Sequence, residues 1–190
     1  MSLGLQAQTR FTWGLEWGYS GIFLDSHTFN YFTTDGVRVQ DADAVIEIKS
    51  AGQALLNAGV IIGNHVAVGL YTGYTAVYEA RKVIPYSLRF TYFFKGCDNA
   101  GWKAFLDAGS AYPLNGSFNK KPLVMAKAGG GYRIPIYKNF CLDAFFGLQF
   151  AADHPFEVRD KYTHQMVPPH ELKRSDRNTL GFMMGFSLSL

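Results

Sequence analysis

The chain has 190 residues, of which 48% are hydrophobic, 16% aromatic and only 17% charged, with a net charge of +3. That length suits a single domain, and the charged fraction, below the roughly one quarter usual in soluble domains, leaves the surface short of charge. The basic residues are scattered rather than gathered into a stripe that could track a phosphate backbone, which argues against nucleic acid as a partner.

Residues 1–8 read as the remainder of an export signal or a tag, with Ala7 as the small residue ahead of a cleavage point, and residues 9–190 as one domain. Period-2 alternation predicts strands over 9–21, 45–62, 66–80, 85–94, 102–112, 122–136, 140–152 and 179–190. No stretch has convincing helical periodicity, and none approaches the ~18 consecutive apolar residues of a helical membrane span. In the first strand Phe11, Trp13, Leu15, Trp17 and Tyr19 oppose Arg10, Thr12, Gly14, Glu16, Gly18 and Ser20. The third and seventh repeat the division, with a bulky apolar face backing onto a small or polar one. Cys97 and Cys141 are the only cysteines, with no CxxC and no Cys/His spacing for zinc, so neither a disulfide framework nor a metal or cofactor site is expected.

The connections alternate in length. GNH, KGCDNAG and YKN are short, whereas 22–45 and 153–178 are long and polar. Short turns at one end and long loops at the other is the layout of a closed up-and-down barrel in an outer membrane. Three-residue turns preserve face parity, placing Ile62 opposite Val66 and Ile136 opposite Phe140. Carried outward, these registers set Lys49 opposite Glu79, Glu47 opposite Arg81 and Arg133 opposite Asp143. The longer turn sets Arg89 opposite Asp107, with Lys127 beside Asp107. Opposite charges meeting across strands on one face are what an enclosed interior requires, because an unpaired buried charge is costly. With Arg10 and Glu16 added, these residues form the expected lumen charge network.

A soluble lipocalin-like barrel would turn the apolar face inward around an apolar ligand. The glycine-rich polar face and its paired charges suit a crowded lumen better than a water-facing coat. Aromatics toward the ends of the apolar face match the girdles of membrane barrels. The lipocalin pattern also places a helix after its last strand, whereas here the expected last strand is TLGFMMGFSLSL, where the chain stops. On strand count, loop asymmetry, paired interior and this final strand, residues 9–190 resemble the small eight-stranded outer-membrane proteins of the OmpA and OmpX type. The resemblance implies an all-β, eight-stranded antiparallel transmembrane barrel in a bacterial outer membrane, in contact with lipid and lipopolysaccharide. It also implies that the barrel-assembly machinery reads the alternation of Phe182, Phe186, Leu188 and Leu190, although Leu190 stands where the family ends in Phe.

The expected role is structural or interactive, with a closed lumen and loops 22–45 and 153–178 presented outside to a ligand the sequence does not name. An alternative is a lipid A-modifying enzyme of the deacylase kind, for which Ser26, His27, His154 and Glu157, near Asp25 and Asp153, are the candidates. The His-x-Ser of the deacylases is missing here. His164, His170 and Glu171 lack regular metal spacing.

Overall fold

The computed structural model describes residues 9–33, 36–46, 48–78, 81–114, 121–137, 140–155, 158, 160, 165–168 and 170–190. Residues 1–8 and the expected charge pair partners Glu47 and Glu79 lie outside them, as do Glu157 and His164. The strands are β1 (Thr9–Phe32), β2 (Arg38–Val45), β3 (Lys49–Ile62), β4 (Val66–Tyr78), β5 (Arg81–Phe93), β6 (Gly101–Pro113), β7 (Leu123–Tyr137), β8 (Phe140–Asp153) and β9 (Leu172–Ser189). Each pairs antiparallel with its neighbour, and β1 pairs with β9 to close the wall. β2 and β3 share one edge of β1, β2 above and β3 below, so nine strands make an eight-stranded closed barrel.

The apolar faces point outward. Phe11, Trp13, Tyr19, Leu70, Leu106, Val124 and Phe146 are exposed, while Glu16, Arg89, Asp107, Lys127, Arg133 and Asp143 are buried. This is the inverse of a soluble barrel, whose exposed shell is polar. At the short-turn end Ile62 opposes Val66 across Gly63, whose φ of 65° is left-handed. A Cβ there would meet nothing within 4 Å, so Gly63→Ala should cost only the conformational penalty, about 1–2 kcal/mol in chemical unfolding. Gly18 differs: its Cβ would sit 2.1 Å from the Met184 carbonyl oxygen, so β1 and β9 close the barrel through an approach that only glycine allows.

Two expectations are corrected at the strand ends. Ile136 does not face Phe140, because the pairing shifts after Pro135 and gives Phe140 to Tyr137. More consequentially, the expected loops 22–45 and 153–178 are partly strand, since β1 runs on to Phe32, β2 returns along it, and β9 begins at Leu172. The sequence hides this extension because it projects beyond the apolar band, where no solvent contrast imposes alternation. Against β9, Phe23 is an extra residue between Ile22, opposite Gly181, and Leu24, opposite Leu180. This bulge switches the inward side of β1 from even to odd positions, so Phe29 and Tyr31 are buried above it as Glu16 and Ser20 are below.

Candidate functional site

The lumen is stacked in layers. Near the short turns, Arg133 binds Asp143 through both carboxylate oxygens, at 2.7 and 2.8 Å. It also donates to Ser189 Oγ and to the Cys97 carbonyl, while Lys103 Nζ lies 2.7 Å from the same Asp143 carboxylate. Above this, Arg89 reaches across the interior from β5 to Glu16 on β1, at 2.6 Å, and holds Asp107 at 3.0 Å. Its guanidinium lies over Tyr71 at 3.9 Å and Phe105 at 4.6 Å. Lys127 stands beside Asp107 on one strand and Gln149 on the other, its Nζ fully enclosed without a hydrogen-bond partner.

The next layer corrects the expectation of a polar interior throughout. Ile22, Val77, Val83, Ala111, Leu123, Met125 and Ala151 pack together inside the wall. Two residues further outward along their strands, Arg81 and Asp153 pair at 2.9 Å. Alternation assigns residues to one face or the other but does not say that the inward face changes chemistry with height, which is why this apolar layer went unseen. Lys103 and Asp153 were also missed, although both share parity with the lumen charges on their strands.

No family model matches the sequence, and no curated protein matches it. Among solved structures, the chain is similar to the outer membrane protein OprG from Pseudomonas aeruginosa, with a TM-score of 0.51 at 13% identity over 97% of this chain and 98% of that one. The chain has the eight-stranded outer-membrane barrel fold. It is also similar to the outer membrane protein AlkL as solved in lipid bilayers, with a TM-score of 0.48 at 9% identity, over 100% and 97% of the two chains.

At the outer mouth of the barrel the enzyme candidates separate. Ser26 lies on the opposite face of β1 from His27. His27 points inward, with Nε2 2.9 Å from Ser175 Oγ and its ring 5.1 Å from that of Phe29. His154 approaches the same residue from β8's end, with Nδ1 3.3 Å from the Ser175 carbonyl and 2.7 Å from Asp176. Asp25 is held by Arg177. Sequence reasoning found both histidines but not Ser175, which register alone could have brought to the row beside His27 once β1 was seen to extend. Over this site, Val158 and Val167 pack on Phe29 and Tyr31, and the Tyr31 hydroxyl donates to Asp160 at 2.9 Å. Among the described residues no group of three could hold a metal ion.

The outward residues Ser26, Thr28 and Asn30 place His27 beyond the apolar band. Burial, and after it the nearby Arg177 charge, lower the His27 pKa, against the opposing pull of Asp25, Asp43 and Asp153. A histidine depressed in the fold binds its proton more weakly there than in the unfolded chain. Its contribution is therefore present above ~6.5 and is lost as pH falls from there through the folded-state value. Corrected for the intrinsic exchange rate, which itself slows on acidification, protection of the amides in β1's outer half should fall below ~6.5, and His27→Gln should flatten that dependence.

At the other end, Cys97 Sγ accepts from Arg10 at 2.7 Å and donates to Asn64, and Arg10 pairs with Asp98 at 2.9 Å. Cys97 and Cys141 are free thiols lining one cavity of about 60 Å³.

Proposed function

We propose that this protein resides in a bacterial outer membrane as a rigid, closed barrel that conducts no solute and carries its binding capacity on the outer end. The observation behind this reading is the Arg89 bridge to Glu16 and Asp107, which spans the interior between well-separated strands with every member buried. An eight-stranded wall leaves a lumen that side chains can fill, and the apolar layer above the bridge adds a second obstruction. The exposed apolar girdle supports contact with lipid and lipopolysaccharide. The outward Phe182, Met184, Phe186 and Leu188 on β9 support recognition of that strand by the barrel-assembly machinery.

Reconstitution into planar bilayers tests the closed lumen. Insertion, read as heat-modifiable migration of the folded barrel, should occur without discrete conductance steps. Stable open channels in the wild-type protein would overturn this reading.

A further inference from the structure

Between the Arg89 bridge and the apolar layer lies a band of inward positions that neither of them uses. On β4, β7 and β8 it falls one inward step below the apolar residues Val77, Met125 and Ala151, at Thr75, Lys127 and Gln149. On β1 it falls at Gly18 and Ser20, between Glu16 of the bridge and Ile22 of the apolar layer, and Gln53 on β3 stands opposite Gly18. Lys127, Gln53 and Gln149 are each 4% exposed, and Thr75 is fully buried. Five of their side-chain atoms have no hydrogen-bond partner: Lys127 Nζ, both ends of the Gln53 amide, Thr75 Oγ1 and Gln149 Oε1. In the closed wall β3 and β4 are separated from β7 and β8 by two strands on either side, so these groups converge on one interior from opposite walls. Gly18, Gly73, Gly109 and Gly147 share the same inward parity and put no side chain into the band.

We propose that this band is an internal binding site for water, where a held cluster joins Lys127 to Gln53, Thr75 and Gln149 across the lumen. A buried water makes about three hydrogen bonds, so the five atoms are served by a cluster of about two or more rather than by one molecule. Charge selects water over an ion. Glu16 and Asp107 are balanced by Arg89 and Lys127, so an added anion or cation would stand as an uncompensated buried charge. Hydrogen-bond chemistry selects it as well. Lys127 Nζ and Gln53 Nε2 require acceptors, Gln53 Oε1 and Gln149 Oε1 require donors, and Thr75 serves as either, so the occupant both donates and accepts. An apolar occupant would leave all of them unpaired. The bridge below and the apolar layer above seal the site, so its water exchanges with bulk when one of them opens. That slow exchange rests on the closed-lumen reading, whereas the hydration itself does not.

Magnetisation transfer from water in the folded barrel, carrying nitrogen-15 in its glutamine side chains and held in detergent micelles, tests both parts. The Gln53 and Gln149 amide protons should show cross-peaks to water whose laboratory-frame and rotating-frame signs are opposite, the mark of held water, and exposed Gln40 on β2 should not. Both cross-peaks should persist in Thr75→Val, with heat-modifiable migration verifying that the variant is folded. Their loss there would assign them to relay through the exchanging hydroxyl and overturn the site. In crystals of the wild-type barrel soaked in bromide, density within hydrogen-bond distance of Lys127 Nζ should carry no anomalous signal. An anomalous peak would overturn water in favour of an anion, and Lys127 bonded directly to Glu16 or Asp107, with no cross-peak at either glutamine, would overturn the site altogether. Cross-peaks with the sign of freely exchanging water would leave the hydration in place and count against the closed lumen instead.

Discussion

Arg89→Met is expected to cost about 3–5 kcal/mol in equilibrium unfolding of the refolded barrel, because it strands two buried carboxylates, Glu16 and Asp107, that share the one guanidinium. Glu16→Gln should be milder, since Arg89 keeps Asp107 and its contacts with Tyr71 and Phe105. The double variant should cost less than the sum of the two, as expected of residues within one network. In the double variant Lys127, cross-strand from Asp107 and without a hydrogen bond of its own, is the cation left to balance that carboxylate. Additive costs would show that the bridge does not act as a unit. Denaturant titration of the four proteins, including the wild type, under identical lipid conditions measures this directly.

Leu106→Arg is expected to cost about 2–4 kcal/mol when the barrel is folded into a bilayer, the depth-dependent penalty for arginine near the midplane on the lipid side. Leu106 is 64% exposed, so in a water-soluble barrel the same change would fall within about 0.5 kcal/mol, like other surface substitutions. The variant therefore separates lipid from water as the solvent of that face. Thr28→Arg is the matched control, because Thr28 also points outward but lies above the Phe23 bulge, beyond the apolar band. Its stability should be within about 0.5 kcal/mol of the parent. Equal penalties at both positions would extend the lipid-facing band past the bulge, and no penalty at either would invert the assignment of the outer face.

The parts of the molecule that were legible in the sequence are those where one face meets a different medium from the other. Over 66–75 and 140–152 that contrast imposes alternation, and short turns then fix register closely enough to set Arg133 against Asp143 and Arg89 against Asp107. Above Ile22 the contrast ends. DSHTFNYF alternates nothing recognisable because Ser26, Thr28 and Asn30 face water while Asp25, His27, Phe29 and Tyr31 face a mixed interior. A one-residue bulge adds to the difficulty, since it reverses the parity on which the reading depends. Ser175 escaped for a related reason: its partner is distant in sequence, and only the extended pairing of β1 with β9 makes them neighbours. The apolar layer around Val83 and Leu123 escaped because inward residues of either chemistry satisfy the same period.

The bulge at Phe23 also works as a phase break between two texts written on one strand. Below it, the sequence is constrained by the bilayer; above it, by whatever meets the mouth, and the extra residue lets each be spelled independently. Deleting Phe23 would place Leu24 directly after Ile22 in the register both already hold against β9, so Asp25, His27 and Phe29 would still face the interior and Ser26, Thr28 and Asn30 the outside, and only the local bulge would be lost, with every membrane-facing residue below in place. The outer end of this barrel can thus be rewritten without touching the wall that anchors it.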